Sequence, residues 1–271
     1  AGDFASTQEP DDPQHNPTGA LRRQGRSGAD EQMPQTKTKA PEARLDLETL
    51  RSEIDRIDAR LLELMEERLL CSSAVAASKG ISENAQLRLR PAREQQVIER
   101  LMARAEKMPA ASVAAIWREL MGINLQAQQA THIVIHCPQQ PVLVTDRARL
   151  RFGGAAPIVD AGTPQDALDR ARNREAIAVI EFSPLSSWWV ELFHDETLTI
   201  FDCLRDKHGR IVALVIGRVA AHHVTSDTAF LVLGEGSLRR RSGAGEKMQT
   251  LAICGNLRLC VQSAANGEAA R

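Results

Sequence analysis

The chain has 271 residues with 34 Lys+Arg against 35 Asp+Glu, a net charge of −1, which excludes a bulk electrostatic affinity for nucleic acid or an anionic membrane. Apolar residues make up 43% and aromatic residues only 3%, with no Tyr, so a core must rest on Leu, Ile, Val and Ala, which favours helices. No apolar run approaches the ~18–20 residues of a membrane span and the amino end shows no apolar secretory stretch, so a cytoplasmic protein is expected.

Residues 1–43 are expected to be a disordered leader. They hold five of the twelve prolines and only three large apolar residues, Phe4, Leu21 and Met33, too few to offset the entropy of ordering. The first residue is not Met, so the amino end is expected to be processed or appended, with Met33 a candidate natural start. The five cysteines have no Cys-x-x-Cys spacing and form no zinc pattern with His; free thiols and no metal are expected.

From 44 to 130 the chain reads as a helical domain. Asp46 is a suitable N-cap. Apolar residues then fall at 47, 50, 54, 57, 61 and 64, the alternating three-and-four steps of a coiled-coil seam. The pattern demands an apolar residue at 68, and Arg68 stands there; the seam resumes at Cys71 and Val75, Lys79 lies beside it, and Gly80 ends the helix. Arg68 and Lys79 share a face roughly 16 Å apart, across the small residues Cys71, Ser72, Val75 and Ala76. Two readings stand: Arg68 pairs with a core carboxylate, or the two cations form a pocket for a compact dianion. A second helix is predicted from Pro91, with Arg93 and Glu94 in its first turn. A third follows Pro109, its stripe of Val113, Ile116, Trp117 and Leu120 turning polar at Asn124 and Gln128. Polar groups at core positions call for a partner or ligand, whereas exposure at a fraying end is the plainer explanation.

In order and spacing, Leu50-Arg51-x-x-Ile54-Asp55-x-Ile57-Asp58, Leu61-x-x-Leu64-x-x-x-Arg68, Lys79, Arg93-Glu94-x-x-Val97-Ile98 and Gln128 resemble the all-helical, type II chorismate mutases. The resemblance covers about residues 45–130. It implies three helices per chain interlocked with a second chain in an intertwined homodimer, and conversion of chorismate to prephenate in aromatic amino acid biosynthesis without metal or cofactor. Carried over by position, Arg51 and Arg68 bind the two substrate carboxylates, Lys79 and Gln128 donate to the ether oxygen of the breaking bond, and Glu94 accepts from the ring hydroxyl with Arg93 beside it. Arg90 and Asn124 depart from the usual acidic and small hydroxyl residues at their positions, and they join the substrate-binding set. Arg51 lies about 26 Å along the helix from Arg68, so it is expected to serve the partner's site. An isochorismate pyruvate lyase on the same scaffold, and an inactive dimerisation or regulatory module, are the competing functions. Every assigned residue precedes Ala130, so a chain ending there is expected to keep activity.

Residues 131–233 read as a small α/β domain. Thr163-Pro164-x-Asp166 opens a short helix with Ala167, Leu168 and Ala171 inward. Ala176–Phe182 is a buried strand, 186–193 a helix, and 198–204 with 210–219 a hairpin around Asp206-Lys-His-Gly209. Val179-Ile-Glu181-Phe-Ser183 and Thr228-Ala229-Phe230 resemble parts of a prephenate dehydratase, truncated and with Ala229 where that family's motif has Arg. Loss of dehydratase activity is what this resemblance implies. Residues 234–271 are expected to be a poorly patterned tail, with Arg239-Arg240-Arg241 in solvent.

Overall fold

The computed structural model describes residues 46–77, 86–173, 176–224, 228–243 and 246–263. The expected leader 1–43, Lys79 and Gly80 lie outside them. The chain divides into a unit of residues 1–50, of which the first turn of the first helix is described, and a unit of residues 51–271.

Helix α1 (Leu47–Ala77) follows the predicted seam. Every residue from 46 to 67 is exposed, and the seam residues Leu47, Leu50, Ile54, Ile57, Leu61 and Leu64 are 42–60% exposed. A stripe at coiled-coil spacing is therefore left in water, which ordinary surfaces avoid. Burial begins at Arg68. Helices α2 (Pro91–Arg104) and α3 (Ala110–Gln128) start where the prolines place them.

Beyond α3 lies a five-stranded sheet of order β2-β1-β3-β5-β4. Strand β1 (His132–His136) pairs in parallel with β2 (Ile158–Asp160) and β3 (Ala176–Glu181). Strands β4 (Thr199–Arg205) and β5 (Ile211–Gly217) form the predicted hairpin, with β5 antiparallel to β3. Helix α5 (Pro164–Ala171) is capped by Thr163, whose hydroxyl accepts from the Asp166 amide at 3.1 Å, and it buries Ala167, Leu168 and Ala171 as expected. Helix α4 (Pro141–Phe152) had no counterpart in the sequence reading; Val144, Ala148 and Phe152, four residues apart, form its buried stripe. The segment expected as a helix at 186–193 is a 3-10 turn, Trp188–Phe193. Its two indoles donate to the Glu181 and Ser186 carbonyls at 3.0 and 2.6 Å.

The expected tail is also folded. Strand β6 (Thr228–Gly234) runs into helix α6 (Glu235–Gly243), and β7 (Met248–Cys254) and β8 (Leu257–Ser263) complete an antiparallel sheet of order β6-β8-β7. Arg239 and Arg241 are tied to Glu235 and Glu246 at 2.6 and 2.9 Å. With this second sheet and the antiparallel hairpin, the C-terminal region is α+β, not α/β.

The five-stranded sheet has apolar residues on both faces. Val134, Ala178, Ile180, Leu214 and Ile216 meet α5 and the second sheet. Ile133, Ile135, Ile177, Val179 and Val215 meet α4 together with Leu87, Leu89 and Leu125 from the helical segment. The helical segment and the sheet thus share one core, so a chain ended at Ala130 would uncover those three leucines. Helix α3 also packs closely against the end of α4. A Cβ on Gly122 would stand 2.2 Å from the Phe152 carbonyl oxygen, and the Glu119 carboxylate accepts from the Gly154 amide at 2.8 Å. Gly122→Ala is therefore expected to destabilise the protein by about 2–3 kcal/mol through forced separation of the helices, a fall in Tm of roughly 5–10 °C. A calorimetric Tm within a degree of wild type would show that this crossing does not depend on Gly122.

Candidate active site

Where α1 becomes buried, it meets α2 and α3 around a cavity of about 490 Å³. Arg68, Cys71, Ser72 and Val75 line it from α1; Arg88 and Arg90 from the segment before α2; Arg93 and Glu94 from the first turn of α2; and Asn124 and Gln128 from α3. Six of the eight predicted site residues thus converge. Arg51 belongs to the exposed stretch of α1 and is not in the wall. Lys79 lies outside the described residues.

Each position has a local cause. In Leu87-Arg88-Leu89-Arg90 the leucines are buried and the arginines half-buried, the period-two alternation of an extended segment. The Leu87 amide donates to the Arg218 carbonyl at 2.8 Å and the Arg88 amide to Gln129 Oε1 at 3.0 Å, which fixes the segment and turns both guanidinium groups to the cavity. Pro91 then opens α2 and places Glu94 in its first turn. Gln126 closes the end of α3 by donating to the Thr131 carbonyl and accepting from its amide at 2.8 and 3.1 Å, holding Gln128 at the rim. The Gln128 Nε2 donates to Ser72 Oγ at 2.5 Å. Ser72 stands four residues after Arg68, on the same helix face. Asn124 is buried, so exposure at a fraying end does not account for it.

Among the described residues, four arginines and one glutamate line the wall. Arg68 bears on the first of the two sequence readings, pairing with a core carboxylate. Among the described residues no carboxylate pairs with it, and its buried Nη1 has no hydrogen-bond partner; desolvation pulls its guanidinium below the ordinary Arg range. An unsatisfied buried donor is costly, and a bound anionic oxygen would satisfy it. Glu94 is held from behind. Arg151 Nη1 donates to Glu94 Oε2 at 3.0 Å, and Arg151 Nε donates to Asp202 Oδ2 at 2.5 Å. A larger cavity of about 650 Å³ shares Glu94 but is lined by mixed charge and apolar groups, including Glu99, Arg118, Arg151 and Asp202.

Arg88 is not among the residues the sequence pattern singled out, although the Leu-Arg-Leu-Arg alternation carries the signal. Arg151 and Asp202 were beyond it, because they lie 57 and 108 residues from Glu94. The unsatisfied Arg68 gives a measurable consequence. Arg68→Met should raise the Tm of the ligand-free protein by about 2–4 °C, the equivalent of about 1 kcal/mol, while abolishing calorimetric binding of a small dicarboxylate. A lower Tm together with retained binding would show that Arg68 is paired within the fold.

Residues 50–129 match the family model for chorismate mutase type II. No curated protein and no solved structure matches the chain. Among the described residues no helix is long and apolar enough to cross a membrane. The helices around the cation-rich cavity, α1 to α3, lie in the segment that matches this model, and a C-terminal region of mixed sheets and helices follows them.

Proposed function

We propose that the chain is a chorismate mutase that rearranges chorismate to prephenate, the step that commits chorismate to phenylalanine and tyrosine. The observation that carries this is the buried, unpartnered Arg68 Nη1 in a cavity it shares with Arg88, Arg90 and Arg93. Chorismate is a compact dicarboxylate, and the planar guanidinium fork suits carboxylates. The reaction is unimolecular: the ether C–O bond breaks as a C–C bond forms, with no external nucleophile and no redox change. The protein's task is to hold the substrate folded and to stabilise negative charge growing on the ether oxygen.

In this reading Arg68 and Arg88 take substrate carboxylate, with Arg90, Arg93 and Asn124 completing the polar wall. Gln128 turns its amide from Ser72 to the ether oxygen, where a neutral donor works at any pH; Lys79 is the second donor there. Glu94 accepts from the ring hydroxyl. The remaining carboxylate contact is Arg51 from a second copy of the chain. The dimer is supported by the seam of α1, whose apolar stripe lies in water with the spacing that a partner helix would fill. The C-terminal region supports the site and does not carry dehydratase chemistry, since Ala229 has no charge or side-chain donor for a second carboxylate.

The test is incubation of the purified full chain with chorismate at neutral pH. Chorismate absorbance should fall, and phenylpyruvate should appear only after acid treatment of the product. Unchanged absorbance would contradict the activity. Release of pyruvate and salicylate from isochorismate, with chorismate left intact, would instead assign the lyase reaction.

A further inference from the structure

We propose that Arg151, contributed by the C-terminal region, is a positioning residue for the mutase site that holds the Glu94 carboxylate in the cavity wall. The proposal rests on the reading of Glu94 as the group that meets the substrate hydroxyl. Among the described residues, Glu94 is the one carboxylate in a cavity wall that holds four arginines. Left to itself, it would swing into an ion pair with one of them. That would neutralise a cation needed for the substrate and withdraw the acceptor needed for its hydroxyl. Arg151 satisfies Glu94 from the opposite side, binding one of its two oxygens at 3.0 Å with both side chains only 17% exposed.

Arg151 cannot follow Glu94 if it moves. Its Nε is held by Asp202 on β4 at 2.5 Å, and its guanidinium lies 4.9 Å from the Phe152 ring centroid. Its helix, α4, ends against α3 at Gly122 and Glu119. Burial alone would weaken the Arg151 charge, but Asp202 and Glu94 more than offset it and hold the guanidinium above its ordinary range. The rigid fork matters because Nε and Nη1 point in fixed directions at carboxylates from two different elements, whereas an ammonium is a rotatable point charge that fixes neither direction.

A double-mutant cycle in the full chain tests this in two readouts. Arg151→Met should lower kcat/KM for chorismate about 10–100-fold, and less than about threefold when Glu94 is already Gln. Arg151→Lys should give an intermediate loss. The ion pair itself is read from Tm: the Arg151→Met, Glu94→Gln double variant should melt no lower than Arg151→Met alone, because the unpaired carboxylate is gone. Equal losses of kcat/KM in both backgrounds would overturn the positioning role, and additive falls in Tm would overturn the pair. Should Arg151→Met not fold, the same cycle is run with Arg151→Lys. Coupling in Tm with unimpaired turnover by Glu94→Gln would overturn the substrate contact of Glu94, and the positioning role with it, while leaving the ion pair standing.

Discussion

Like charge gathered around one cavity is the constraint around which this molecule is arranged. Arg68, Arg88, Arg90 and Arg93 reach one cavity from three segments, and among the described residues Glu94 is the only carboxylate in its wall. Such a cluster disperses unless each backbone segment is fixed by something else. Leu87 and Leu89, buried in the sheet core, fix two of the arginines. The hydrogen bond between Gln128 and Ser72 ties α3 to the turn of α1 that carries Arg68. The cost of assembling the charge falls on the fold and is recovered when an anion arrives, which is the usual thermodynamic trade of a preorganised site.

That arrangement explains why the helical segment does not end at its last helix. Its inner leucines are part of the core beneath the five-stranded sheet, and Gly122 lets α3 press against the end of α4. The C-terminal region therefore supplies both the hydrophobic floor on which the site is built and the cation behind Glu94.

Much of the site was legible because helices make short-range rules visible. The seam of α1, its interruption at Arg68, the proline starts of α2 and α3, and the polar turn of the α3 stripe all follow from spacing. Arg88 was equally legible once the two leucines around it are read at period two. The hairpin of β7 and β8 also had a signal: Gly255-Asn256 stands between the paired residues Cys254 and Leu257, with Gly255 at φ 57°, a two-residue turn. The stripe of α4 was hidden by the cations and apolar residues on its exposed side. The Arg151 bridge had no local signature at all, since it depends on the crossing of α3 and α4 and on the position of β4.

One chain holds only part of the proposed site. Residues 46–67 of α1 are exposed along their whole length, and Arg51 stands about 26 Å along the helix from Arg68, beyond the reach of one small substrate. The central claim is that the exposed helix completes the cavity of a second copy. Its most direct measurement is complementation between Arg51→Ala and Arg68→Ala, each inactive alone, after mixing and refolding. Hybrid dimers should contain one site with both arginines, and activity should return to about a quarter of wild type, because about half of the dimers are hybrid. No recovery, with hybrids demonstrated by native mass spectrometry, would place both arginines in the site of a single chain and contradict the account.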